Sequence, residues 1–337
     1  MSIIRYTPTQ DAFIVTGSVG QTTNTGLDEI LQVGVCSRFG VEGSARALLD
    51  FGQIELPTEA YKATLHLYLA NAYNLPQPVY SVKVCTVSQS WEEGRGKFKD
   101  EPATNDGVTW NYRNFNQDAW NVAGGNFTDG RNYVVQSFGG NNAKDVDIDV
   151  LELLQSENCN GGFILGFADE SQAVNQNATL LFYSKDTHTI YRPYLQVEVD
   201  DAEYSSSLAV IDSEQIYITT EGLKPEFTTM DNVRINLKVS PKYPRRVYST
   251  SSIYSVNHVL PVESYWGIRN EYTREMVIDF CTGTKISADN VGSYFNFDAS
   301  LLEPERYYRL LYQVDLGNGR KIVFDNRNIF KVVQNNG

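Results

Sequence analysis

The chain has 337 residues, enough for two domains and for sizeable cores without disulfide or metal staples. It carries 28 Lys and Arg against 41 Asp and Glu, a formal net charge of −13, with 42% hydrophobic residues. That balance excludes wholesale disorder and argues against a surface built for nucleic-acid phosphates or anionic lipid, and no run of about 18 apolar residues marks a membrane-spanning helix.

The opening Met1-Ser2-Ile3-Ile4-Arg5-Tyr6 has no charged segment leading into an apolar one, so no secretion signal is expected. Hydrophobic residues then recur mainly with period two. Thr64-Leu65-His66-Leu67-Tyr68-Leu69 predicts a strand with three leucines on one face and His66 on the wet side. Val146 and Ile148 alternate with Asp145, Asp147 and Asp149, and the next eight residues, 150–157, predict a short amphipathic helix. Phe163, Leu165 and Phe167 share one face of the next strand, and Leu195, Val197 and Val199 of another, which predicts half-buried strands with one wet face each. A polar stretch, Asp200-Asp201-Ala202-Glu203-Tyr204-Ser205-Ser206-Ser207, predicts a domain boundary near residue 200. Charge divides at the same place: residues 1–200 carry net −11 and residues 201–337 net −2. Beyond it, Val233, Ile235 and Leu237 alternate with Arg234, Asn236 and Lys238, and Asn318-Gly319 predicts a tight hairpin between strands at 307–314 and 321–325. Strands without long intervening helices predict an all-β protein, two sandwiches in tandem over 1–200 and 201–337.

The cysteines, Cys36, Cys85, Cys159 and Cys281, have no metal-type spacing. They read as reduced, structural thiols, although sequence leaves pairing in space open. Three histidines, His66, His188 and His258, fall in no His-Glu-x-x-His spacing, and no nucleophile elbow or phosphate-binding loop is present.

A series of short motifs runs in order along the first 200 residues. It begins with Asp11-Ala12-Phe13-Ile14-Val15, Thr22-Thr23-Asn24-Thr25-Gly26 and Arg46-Ala47-Leu48-Leu49-Asp50-Phe51-Gly52. It continues through Ser90-Trp91-Glu92-Glu93-Gly94 and Val108-Thr109-Trp110-Asn111, and closes with Phe182-Tyr183-Ser184 and Arg192-Pro193-Tyr194-Leu195. In order and spacing this segment resembles the DNRLRE family, which is similar to carbohydrate-binding modules. The resemblance implies a jelly-roll-like β-sandwich that binds or displays and does no chemistry. In the second half, Pro304-Glu305-Arg306-Tyr307-Tyr308-Arg309-Leu310 with the Asn318-Gly319 hairpin resembles the late strands of an immunoglobulin-like β-sandwich.

Three clusters are candidates for chemistry. Between Ser90 and Gly125, Trp91, Trp110 and Trp120 with Tyr112 and Phe115 offer flat rings for stacking on sugars; the competing reading is that the tryptophans pin a long loop to the sandwich. Asp145, Asp147 and Asp149 line one strand face, but same-face residues lie nearly 7 Å apart, too far for all three to share one Ca²⁺. Glu92-Glu93 with Asp100-Glu101 has the residue types of a glycosidase pair, in a polar loop expected to leave them solvated.

The resemblance, the missing signal and the lack of a following catalytic domain together predict a non-enzymatic virion subunit, made in a host cytoplasm and docked in the neck, tail, baseplate or fibre attachment of a bacteriophage. Its expected partners are other virion proteins and copies of itself in a ring or trimer, with neither nucleic acid nor membrane and no cofactor. The alternative is an adhesin that contacts a host-surface glycan through Trp120, Tyr112 and Phe115.

Overall fold

The computed structural model describes the chain apart from residues 1–2, 39–40, 101, 103, 126, 128–131, 142, 157–161, 244–256, 317–319 and 335–337 and the side chains at 19, 37, 38, 41 and 42. Strands make up 48% of it and helix 7%, so the protein is all-β. It divides into two compact units. The N-terminal unit comprises Arg5–Thr58 and Lys62–Val197; the C-terminal unit comprises Met1–Ile4, Glu59–Tyr61 and Glu198–Gly337.

One sheet has four strands in the order Ile3–Tyr6, Tyr194–Val199, Ala60–Leu67, Val146–Asp149. Its register explains its alternation. Val146 lies opposite Leu67 and Ile148 opposite Leu65, so the buried residues of both strands fall on one face. The run ends at Leu67, not Leu69. At Tyr68 the chain leaves this sheet, and Leu69 opens the strand Leu69–Tyr73 in the other one, opposite Phe182. Two leucines of the predicted triplet therefore share a face; the third belongs to a different sheet. The predicted amphipathic helix is present as Leu151–Gln155, with Leu153 buried.

The second sheet runs Tyr133–Gly139, Val79–Thr86, Phe163–Phe167, Val41–Asp50, Ile30–Arg38, Thr179–Tyr183, Leu69–Tyr73, with Gln10–Val15 as an eighth strand also paired to Val41–Asp50. Val41–Asp50 is its hub. One edge pairs with Gln10–Val15; the other pairs with Gly34 at Ala45 and with Leu165 at Ala47, so it changes partner at Arg46. Phe163–Phe167 has all five residues buried. Phe163 and Leu165 face one side, while Ile164 joins an aromatic cluster built by the loop on the other. The predicted half-wet strand is thus covered on both faces, because segment 87–127 folds across the second.

In the C-terminal unit a four-stranded sheet has the order Ile216–Glu221, Asn232–Pro241, Ser293–Asp298, Ser287–Ala288. A five-stranded sheet has the order Glu226–Thr228, Lys321–Val333, Arg306–Asp315, Ser264–Asn270, Met276–Ile278. Both feed one core. Ile235, Leu237, Phe295 and Phe297 from the first sheet meet Trp266, Leu310, Tyr312 and Phe330 from the second, and Trp266 stacks on Phe295 with ring centroids 4.9 Å apart. Arg306–Asp315 and Lys321–Val333 pair antiparallel, with Asp315 opposite Lys321; the predicted Asn318-Gly319 turn itself lies outside the described residues.

Candidate functional site

Segment 87–127 has little sheet to join, apart from a two-stranded hairpin of Tyr112–Asn114 with Asp118–Ala119. It gains order from its own apolar side chains. Trp91, Val108, Trp120 and Phe127 cluster with Ala12, Ile14, Leu48, Cys85 and Ile164 of the eight-stranded sheet. Trp120 is 5% exposed, and its Nε1 donates to the Thr109 carbonyl at 3.0 Å. It therefore presents no ring face to a glycan, and the expectation that it contacts sugar is corrected: burying the indole is what holds the loop. Tyr112 and Phe115 remain half-buried, their rings edge-to-face at 5.5 Å.

Arg46 fastens the same loop from below. Its guanidinium lies between the rings of Trp110 and Phe127, 4.5 and 4.6 Å from their centroids. Nε and Nη2 donate to the two carboxylate oxygens of Glu170 at 2.6 and 2.8 Å, and Nη1 donates to the Gly124 carbonyl at 2.6 Å. A buried Arg in this setting is hydrogen-bonded through all three nitrogens of its planar fork, a geometry Lys does not reproduce.

The three aspartates of the predicted acidic stripe have separate tasks. Asp145 accepts the Leu69 N–H, Asp149 accepts the Leu151 N–H, and Asp147 accepts a hydrogen bond from His66 Nδ1 that holds its carboxyl below the usual range. The imagined glycosidase pair is also dispersed. Asp100 accepts the Lys97 N–H and the Thr104 hydroxyl, Glu101 lies outside the described residues, and Glu93 turns toward Asp11. Glu93 is half-buried, contrary to the solvated loop expected, and burial pushes its carboxyl up.

Among the described residues one group of three metal-ligand-type side chains converges: Asp11, Glu93 and Asp186, with oxygens all within 4.8 Å of one another. Asp11 is 1% exposed, and burial pushes its carboxyl up to about 7. Its main-chain N–H donates to Glu93 Oε1 at 2.8 Å, and its Oδ2 accepts the Lys185 N–H at 2.6 Å. Lys185 Nζ lies 3.1 Å from Glu93 Oε1 and 2.9 Å from Asp186 Oδ2. Asn24 fixes the loop beneath: Nδ2 donates to the carbonyls of Glu93 and Val108, and Oδ1 accepts the N–H groups of Gly26 and Gly96. Gly26 has no room for a side chain, since a Cβ would stand 2.3 Å from the Glu93 carbonyl oxygen.

A row of rings missed by sequence reasoning lies on the N-terminal unit. Tyr183 stacks on Tyr191 at 5.5 Å, Tyr191 meets Tyr68 at 5.2 Å, Tyr68 meets His66 at 4.3 Å, and His66 stacks on Tyr194 at 4.6 Å, with the Arg5 guanidinium over Tyr194. The signal available was His66 and Tyr68 alternating with buried leucines on the wet side of one strand; nothing in the sequence joined them to Tyr183 or Tyr191.

Fold and sites define a class: a two-unit all-β protein with an aromatic row and a partly buried acidic cluster on its N-terminal unit. The chain matches no protein-family model and no curated protein sequence. Among the described residues no helix is long and apolar enough to cross a membrane.

Proposed function

We propose that this chain is a non-enzymatic structural subunit of a bacteriophage virion, in the neck, tail, baseplate or fibre attachment, that docks through its sheets to copies of itself and to other virion proteins. The observation that carries the reading is the end strand Tyr133–Gly139. It closes one end of the eight-stranded sheet, contains neither charge nor proline, and leaves Tyr133 55% and Val135 42% exposed. Monomeric proteins commonly blunt such edges with charge, proline or a bulge, because an open edge pairs with another chain. A neighbouring copy is the occupant this edge suits, in a ring or trimer. The resemblance of the first 200 residues to the DNRLRE family supports binding and display as the role, with a jelly-roll-like unit followed by an immunoglobulin-like one.

The test is V135E. Val135 lies opposite Lys83, so a glutamate there gains a cross-strand partner and leaves folding nearly unchanged, while placing charge on the edge. Wild type is expected to self-associate and V135E to run as a monomer with the same melting temperature. Self-association unchanged in V135E would remove the edge from the reading.

The aromatic row favours the second reading, a glycan-binding adhesin, because Tyr191 is exposed beside Tyr68 and Tyr183 and exposed rings are suited to stacking on sugars. It moves the candidate contact from Trp120 to Tyr191, and Y191A is then expected to lose glycan binding without loss of stability.

A further inference from the structure

We infer that Asp11, Glu93 and Asp186 form a divalent-cation site, with calcium as the ion it fits. Two oxygens that each lie about 2.4 Å from one ion are at most about 4.8 Å apart. The three carboxylates meet that limit, since each offers an oxygen within 4.8 Å of the others.

A second observation is independent of this spacing. Asp11 Oδ1 is buried and has no hydrogen-bond partner, although the other oxygen of the same carboxylate accepts the Lys185 N–H. An unpartnered buried carboxylate oxygen is costly, and a bound cation is the partner that satisfies it. Charge points the same way. Lys185 already faces Glu93 and Asp186, and with Asp11 ionised by the arriving metal the three carboxylates and one ammonium carry two negative charges, the complement of a divalent ion. The donor set is oxygen alone, which selects hard cations. It comes from a strand and two separate loops and imposes no octahedron, which favours calcium over magnesium.

Lys185 is the competitor. Its Nζ holds Glu93 and Asp186, so the ion enters as the ammonium swings away on its flexible stem. Removing that ammonium therefore tightens the site, the opposite of what a simple salt-bridge network would do. Asn24 keeps the Glu93 loop in place whether or not the ion is bound, because its four hydrogen bonds all go to backbone.

The experiment uses the full chain, stripped with a chelator and titrated with Ca²⁺ or Mg²⁺ at neutral pH, with binding heat and melting temperature as readouts. Wild type is expected to gain about 5 °C at saturating Ca²⁺ and much less with Mg²⁺. D11N is expected to bind Ca²⁺ at least about 10-fold more weakly while melting, without metal, at or above the wild-type temperature. K185M is expected to show a larger Ca²⁺-dependent rise than wild type. No heat and no shift in wild type up to about 10 mM Ca²⁺ would overturn the site, as would undiminished binding in D11N or a K185M protein that Ca²⁺ fails to stabilise. An equal response to Mg²⁺ would overturn the assignment to calcium.

Discussion

Trp120 separates packing from binding most sharply at the scale of single residues. Its ring is enclosed by the loop cluster and its Nε1 is satisfied by the Thr109 carbonyl. W120A is expected to cost about 3–5 kcal/mol, read from the denaturation midpoint, and W120F much less. A W120A protein as stable as wild type would mean that the loop is held otherwise. Asp28 supplies a pH signature. Burial raises its carboxyl from 3.8 to about 6, against the opposing hydrogen bond from the Phe98 N–H. The folded protein therefore holds this proton more tightly than the unfolded chain. Stability is lost as pH rises from about 4 to about 6 and is level above. The difference between wild type and D28N, measured by urea unfolding across that range, isolates this component from carboxylates shifted the other way, such as Asp147. The residues of the acidic cluster show why such sites escape a sequence reading. Asp11 sits in an ordinary strand motif, yet its partners Glu93 and Lys185 stand 82 and 174 positions away. Only the fold brings them together.

Among elements, the strands written as clean alternation were legible. Val146–Asp149 buries Val146 and Ile148 and exposes its aspartates, and Asn232–Pro241 buries Ile235, Leu237 and Val239. Two features were not. The sheet change at Tyr68 leaves the local period intact, so Leu69 reads as one more member of a face it does not share. Phe163–Phe167 reads as half-wet because the loop covering its second face lies in another part of the sequence. Gly166 records that cover. A Cβ there would stand 2.7 Å from Phe127 Cζ, so the ring must shift to admit it. G166A is expected to destabilise the protein by about 1–3 kcal/mol through overpacking, and F127L to relieve part of that loss in the double variant. Additive effects of the two substitutions in denaturant unfolding would show that the loop does not pack on this strand.

For the whole molecule, the acidic load lies almost wholly on residues 1–200, with the aromatic row, the acidic cluster and the uncharged end strand. These features concentrate the candidate contacts on the N-terminal unit, while the C-terminal unit keeps a core of stacked rings and residues 201–337 carry net −2. An assembly held by sheet edges needs interfaces of about 1,000 Å² or more, which an edge strand and its flanking rings contribute to but do not fill alone. On the proposed reading, contacts with other virion proteins would complete them. The measurement that bears most directly on this is the molar mass of the purified protein by light scattering over a range of concentrations, with and without a host-envelope glycan extract. The account predicts a discrete multiple of the 37.9 kDa chain without glycan, reduced to a single chain by V135E. A mass of one chain at every concentration, changed only when glycan is added, would contradict it and favour the adhesin.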